Sequence, residues 1–277
     1  MRSIISFPSS ESRLQDSSKR KVGVVIPTLA KDMIQLRKAV TSALDNHCVE
    51  LVIIVSPTKN YNKLNEFSNS SNIKLIFDDN PGFTYAMNLG VDHLNNLNFE
   101  FFSGIGDDDV IAPNFLDSII IEVESQNAQV GLGHCFYVNT NNEIIFVNTS
   151  PLLFLRILNL TPNVIPAPGA LIRMNSWRKA GGFNPRYKYV ADFDFWLKVR
   201  RYGKFIKLNI PMSYFRWHDE SLTAGNRAAS RKEALEAQLH HTPIYQRVLF
   251  YTFTKVAYFF ADKLMKQSMK SSYKEIH

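Results

Sequence analysis

The first regular signal in the chain is an unbroken apolar run, Val22-Gly23-Val24-Val25-Ile26, as expected of a strand covered on both faces. Met33, Leu36, Val40 and Leu44 then recur at helical spacing within residues 31–46. A second run, Leu51-Val52-Ile53-Ile54-Val55, is stopped by Ser56-Pro57. Ile73-Lys74-Leu75-Ile76-Phe77 gives a third strand, closed by the turn signal Asp78-Asp79-Asn80-Pro81-Gly82. Ala86, Leu89, Gly90 and Leu94 mark one face of a helix, and Phe99-Glu100-Phe101-Phe102 starts a fourth strand. Four strand–helix units in about 110 residues predict an α/β fold: a mostly parallel central sheet with right-handed crossovers, flanked by helices. Ligands of such sheets bind beyond the carboxyl ends of the strands. The turns Pro27-Thr28-Leu29, Ser56-Pro57-Thr58, Asp78-Asp79-Asn80 and Asp107-Asp108-Asp109 are therefore the candidate site. No GxGxxG follows the first strand, and Gly104-Ile105-Gly106 leads into aspartates that would repel a pyrophosphate. A Rossmann-type dinucleotide site is excluded on that ground.

The ends of the chain read differently. Residues 1–20 are Ser-rich without apolar periodicity and predict a mobile leader, with no signal-peptide core. Residues 21–222 hold the α/β pattern, and 223–277 form a helical, basic-aromatic extension. Its aromatic stretches, Val248–Tyr251 and Val256–Phe260, precede Lys263, Lys266, Lys270 and Lys274. Lys255 interrupts the apolar run, so no bilayer-spanning segment of ~20 uncharged residues exists there. Two readings stand: a helix lying on anionic lipid, or a helix packed on the domain with solvated lysines. With 277 residues, 45% of them hydrophobic, a large packed core is expected, and a disordered chain is excluded. Two cysteines, Cys48 and Cys135, are too few for a disulfide framework and read as reduced thiols in the cytoplasm. The net charge of +7 permits an anionic partner, but no motif supports nucleic acid.

Three adjacent carboxylates, Asp107, Asp108 and Asp109, repel one another unless something positive sits among them. A Mg²⁺ or Mn²⁺ ion completed by phosphate oxygens and water meets that need; the plainer alternative is a cap for the helix after Pro113. A second acidic cluster, Asp192 and Asp194, lies in Val190-Ala191-Asp192-Phe193-Asp194-Phe195-Trp196-Leu197. Both fit the first turn of a helix, where the dipole favours them, and one of them could equally serve as a general base. Tyr214-Phe215-Arg216-Trp217-His218 then reads as a strand ending in a histidine.

Taken in order, these segments resemble the family 2 glycosyltransferases of GT-A fold, especially bacterial enzymes that build lipopolysaccharide O-antigen or capsule. Val24-Val25-Ile26-Pro27-Thr28 resembles the family's opening strand and turn. Asn80-Pro81-Gly82 with Ala86, Asn88 and Gly90 is similar to its N-x-G…A-R-N-x-G segment, and Ile105–Asp109 through Pro113 to its D-x-D region. Gly181-Gly182-Phe183 with Asp192–Leu197 resembles its "GGF…ED-x-D-x-W" block, and Tyr214-Phe215-Arg216 with His218 its closing "Y-Y-R-x-H".

The resemblance implies an inverting, metal-dependent hexosyltransferase. Asp192 would be the catalytic base. Pro27, Thr28, Ser56, Gly82, Asn88, Asp107 and Asp108 would bind the donor, a nucleotide-diphosphate sugar with UDP favoured. Asp194 and Trp196 would face the acceptor, and Asp108, Asp109 and His218 would hold Mn²⁺ or Mg²⁺. The implied acceptor is a saccharide on a polyprenyl diphosphate, which places the protein in the cytoplasm, peripheral to the cytoplasmic face of the inner membrane. Ser56 stands where many members carry an Asp for the uracil ring. Met87 replaces the Arg of A-R-N, Gly106 the first Asp of D-x-D, and Ala191 the Glu of "E-D". These departures leave a catalytically impaired sugar-nucleotide-binding scaffold as one rival. An aspartate-based Mg-dependent phosphohydrolase is the other, although it expects D-x-D after the first strand rather than the fourth.

Overall fold

The computed structural model describes residues 21–80, 82–218, 226–247, 250, 253, 254, 256–259 and 263. The expected leader 1–20, and most of the chain after 247, lie outside the described residues.

Each apolar run forms a strand. β1 (Val22–Pro27), β2 (Val49–Ser56), β3 (Ile73–Phe77) and β4 (Phe101–Gly104) are parallel and ordered β3-β2-β1-β4. Every position of β1 is buried, as expected of a strand covered on both faces. Helix α1 (Met33–Leu44) starts at Asp32, whose carboxylate accepts the N–H groups of Ile34 and Gln35 at 2.9 and 3.1 Å. Its buried stripe, Leu36, Ala39, Val40 and Ala43, is the 3.6-residue pattern of the sequence. A short helix α2 (Tyr61–Leu64) occupies the polar stretch before β3.

Helix α3 (Phe83–Asn96) begins after Gly82, whose φ of +114° is open to glycine and strained for other residues. It presses so closely on β1 that a Cβ at Gly90 would lie 2.4 Å from Val25 Cγ1. Beyond β4 the sheet continues through β8 (Leu171–Arg173), β6 (Val130–Val138), β9 (Phe205–Arg216) and β5 (Val110–Ile111), with β7 (Ile144–Asn148) on β6. β8 runs antiparallel to both β4 and β6, while β6 and β9 are parallel, so the sheet is mixed but mostly parallel.

Four further helices cover it: α4 (Phe115–Ser125), α5 (Met174–Ala180), α6 (Ala191–Val199) and α7 (Arg227–His241). The first helix of the expected extension, α7, is part of this body. Glu233 accepts the N–H groups of Lys188 and Tyr189, and the Gln238 amide donates to the carbonyls of Leu158 and Thr161. No helix among the described residues is long and apolar enough to cross a membrane.

A buried polar clamp joins the first helix to the fourth. Asp117 on α4 accepts the N–H groups of His47 and Cys48 at 2.9 and 2.7 Å. Asn46 answers from the other side: its Oδ1 accepts Leu116 N–H at 2.9 Å while its amide donates to Ser42 O. Both side chains are almost wholly buried, so each satisfies backbone groups that water cannot reach.

Candidate active site

The four strand ends open into a cleft of about 2020 Å³. Pro27, Thr28, Ser56, Asp78, Asp79 and the loop Gly104–Asp109 line one side, and Asn163, Tyr189, Asp192, Trp196 and Tyr258 the other wall. The parallel topology of β1–β4 brings the strand-end turns of the first side together.

The aspartate triplet divides into three roles. Asp107 Oδ2 accepts the Thr28 hydroxyl at 2.5 Å, and Thr28 Oγ1 itself accepts Ala30 N–H at 2.8 Å. Burial raises the Asp107 pKa above the usual carboxylate range, with Thr28 opposing and Asp108 adding to it. Asp108 Oδ2 meets His218 Nε2 at 2.8 Å, and both side chains remain partly open to the cleft. β9 delivers that histidine, since its register beside β6 carries the chain to Arg216, two residues before it.

Asp109, expected as a metal ligand, is turned inward instead. Its Oδ1 accepts Arg216 N–H and its Oδ2 accepts Gly106 N–H, each at 3.0 Å, with only 2% of the residue exposed. Burial first, and then the Asp108 charge, raise its pKa. Oδ1 fastens the loop to the end of β9 and Oδ2 closes the loop on itself, so Asp108 and His218 are the side chains here that could hold a metal. Among the described residues no three His, Cys, Asp or Glu side chains converge as a self-sufficient metal cage. One carboxylate and one imidazole fit Mn²⁺ or Mg²⁺ only where the ion takes its remaining ligands from diphosphate and water, as these ions commonly do.

Two departures from the family pattern are built into the packing. A Cβ on Gly106 would lie 2.9 Å from Asp109 Oδ2 and 3.1 Å from Asp108 Oδ1, so a carboxylate there would crowd the other two. Met87 is buried beneath the loop, and its methyl occupies the space a Cβ on Gly104 would need, at 2.5 Å.

Across the second cluster, two aspartates two residues apart face opposite ways. Asp192, half-buried in the first turn of α6, lines the cleft and accepts the Asn163 amide at 3.0 Å. Burial pushes its pKa up to about 6, against the opposing effect of the Phe193 N–H and Asn163. Asp194, expected to face the acceptor, lies away from the cleft. It is 1% exposed and bound to His241 Nε2 and Lys198 Nζ, each at 2.8 Å. Burial alone would raise its pKa, but His241 and Lys198 outweigh that and hold it below the usual range. A residue at position i+2 of a helix points about 200° away from its neighbour, which is why one of the pair had to turn inward. Trp196 borders the cleft from within the core, and its indole N–H finds no acceptor among the described residues.

Of the remaining expected donor residues, Pro27, Thr28, Ser56 and Gly82 border the cleft. Ser56 is 2% exposed and accepts the Asn60 amide at 3.0 Å. Asn88 does not border the cleft. Its amide donates to Phe183 O at 2.8 Å and its Oδ1 accepts Phe183 N–H at 3.0 Å. The A-x-N and G-G-F segments, 95 residues apart, are therefore two halves of one strut.

Asn163 and Tyr137 escaped sequence reasoning. Asp79, in the turn Asp78-Asp79-Asn80 already marked as part of the candidate site, accepts Thr58 N–H at 2.8 Å and lines the cleft. Burial pushes the Tyr137 phenol up, and the charges of Asp192 and Asp109 add to it, so its ring lies within electrostatic reach of both acidic clusters. Asn163 belongs to an irregular loop and carried no pattern.

No protein-family profile matches the chain. An uncharacterized glycosyltransferase of Rickettsia typhi is 24% identical over 233 residues, 80% of this chain and 71% of that protein. A second, from Rickettsia prowazekii, is 23% identical over 190 residues, 65% of this chain and 58% of that protein. Among solved structures, S. aureus TarS residues 1–349 in complex with UDP superposes with a TM-score of 0.59 at 15% identity, covering 80% of this chain and 65% of TarS 1–349. The same fragment with UDP-GlcNAc gives 0.58 at 16% identity, covering 74% and 61%. The architecture shared with TarS is the GT-A-like α/β fold with a mixed, mostly parallel sheet.

Proposed function

We propose that this chain is an inverting, metal-dependent glycosyltransferase that moves a sugar from a UDP-sugar to a saccharide hydroxyl. The observation that carries this is Asp192, a cleft carboxylate with a pKa raised to about 6, on the same cleft as the Asp107–Asp108–His218 cluster. UDP and UDP-GlcNAc bound to TarS, and the glycosyltransferases among the curated relatives, support the donor class.

Donor binding would begin at the strand ends. Pro27 and Thr28 border the ribose, and with Ser56 buried the carboxylates left at the base corner are Asp78 and Asp79. Thr28 fixes Asp107, and Asp108 with His218 would hold Mn²⁺ or Mg²⁺ against the diphosphate. When bound, that ion neutralises the charge that grows on the leaving nucleoside diphosphate.

Asp192 takes the proton of the acceptor hydroxyl while its oxygen attacks the anomeric carbon. The bond to the diphosphate breaks on the opposite face, and its electron pair leaves with UDP. One displacement inverts the configuration. A pKa near 6 leaves Asp192 ionised at neutral pH yet basic enough to share the proton in the transition state. Asn163 orients the carboxylate by donating its amide to it. The acceptor we infer is a saccharide of a surface polysaccharide such as O-antigen or capsule, carried on polyprenyl diphosphate.

A thermal-shift panel of UDP, GDP, dTDP and ADP with Mn²⁺, Mg²⁺ or EDTA tests the reading. Ligand at about 100 times Kd stabilises by about 2.7 kcal/mol, a shift of several degrees for a domain of this size. A metal-dependent shift with UDP alone is expected. No shift with any nucleotide rejects the proposal.

A further inference from the structure

Two stretches distant in sequence meet at one end of the acceptor half, and neither contains an acid. Residues 144–191 and 237–261 hold no Asp or Glu. The first contributes a 3₁₀ turn, Leu152–Ile157, on which Leu153 is 83% exposed with Phe154 and Ile157 beside it. The second contributes Ile244 and Tyr245, each 79% exposed. The stretches are pinned together where Asn159 donates to the Thr242 hydroxyl at 3.3 Å and Gln238 to the carbonyls of Leu158 and Thr161.

Past the turn at Ile244–Gln246, the described residues between 250 and 259 are helical and two-faced. Phe250, Thr254 and Tyr258 are buried, with the Tyr258 hydroxyl 3.4 Å from Gln238 Oε1. Phe253, Val256 and Phe259 face outward, 57%, 53% and 63% exposed. A helix that needed only to pack on the domain would carry polar residues there. Arg156 on the first turn and Arg247 just past the second are exposed cations. Glu233 and Glu236 on α7 are engaged elsewhere, with Tyr189 N–H and with Arg186.

We propose that this face, Leu153, Phe154 and Ile157 together with Ile244, Tyr245, Phe253, Val256 and Phe259, docks on an anionic lipid surface. Apolar and aromatic side chains enter the headgroup boundary while the cations meet lipid phosphates. A second copy of the chain is the poorer occupant, because a two-fold interface would bring the Arg156 and Arg247 cations of one copy to the same face as those of the other, with no acid from these stretches between them. The position has a purpose only on the transferase reading with a lipid-carried acceptor, on which this inference rests. Tyr258, on the inner face of the same helix, lines the cleft with Ala234 and Asn163, so docking would set the acceptor wall beside the bilayer.

Co-sedimentation of the full chain with phosphatidylglycerol vesicles and with phosphatidylcholine vesicles tests it. Binding to the anionic vesicles, weakened by salt, is expected. I244S/Y245S and F253S/F259S should each weaken it at least about tenfold while keeping the parent melting temperature. Unchanged binding by both variants overturns the proposal. So does absence of vesicle binding with a dimer that the same variants abolish. The UDP thermal shift without vesicles reads the transferase proposal separately: vesicle binding with no UDP shift would leave the docking face standing and remove the activity assigned to it.

Discussion

The two acidic clusters, Asp107–Asp109 on the donor side and Asp192–Asp194 on the acceptor side, are built on the same plan. Each sets a cleft-facing carboxylate beside one that holds the fold together. In the loop, Asp108 meets His218 in the cleft while Asp109 binds two backbone amides. On α6, Asp192 stays in the cleft while Asp194 ties α6 to α7 through His241. The difference lies in what each inner carboxylate answers to. Burial and the Asp108 charge raise the Asp109 pKa against its two N–H partners, whereas His241 and Lys198 outweigh burial and lower that of Asp194. Sharing a short acidic motif therefore says little about sharing a job; the partner decides it.

The sharpest break of this pairing is Asp192→Asn. It should lower kcat by about 10²–10⁴-fold with UDP binding retained, because the proton acceptor is lost. Steady-state kinetics beside a UDP titration would show it, and unchanged turnover would place the base elsewhere. Asp194→Ala should do the reverse. Leaving His241 and Lys198 without their shared partner costs about 3 kcal/mol, a fall of roughly 6–12 °C in melting temperature, read by calorimetry.

Asp109→Ala strands two backbone N–H groups and should cost about 2 kcal/mol, with the metal dependence of UDP binding intact. Asp108→Ala is its complement: stability stays within about 0.5 kcal/mol of the parent while the difference between Mn²⁺ and EDTA in a UDP titration disappears.

The smallest effect is a pH signature. Asp192 holds its proton in the folded chain up to about 6, above its unfolded value near 3.9, so its contribution to stability is present below that lower value and is lost as pH rises to about 6. Asp194 contributes with the opposite sign, present above the unfolded value and lost as pH falls through its depressed folded one. Asp192→Asn should remove the first slope from a stability–pH profile and spare the second. In the parent enzyme, kcat/KM should fall about tenfold per unit below pH 6.

The parallel core was legible because β1, β2 and β4 are buried on both faces, and such strands write themselves as apolar runs. Its consequence, a site at the strand ends, followed from topology. What stayed hidden was orientation. Neighbouring aspartates look alike in sequence, and only the contacts of β9 and α7 turn Asp109 and Asp194 inward. Asn88 was misplaced for a related reason. It lies one residue from the cleft-lining Met87 on α3, and a rotation of about 100° per residue carries it away from the cleft to Phe183. Asn163 lies in a loop with no periodicity to read.

The clamp between Asn46 and Asp117 has a consequence in time. The amides of His47 and Cys48, at the entry to β2, find their acceptor 69 or 70 residues further along the chain. The first strand–helix–strand unit therefore cannot complete its own hydrogen bonding as it forms; it waits for α4. Folding of the donor half is made cooperative over that span, and a protein synthesised only as far as β3 would keep its β2 entry open to exchange with solvent. The same two side chains that finish the architecture thus set the order in which it can be finished.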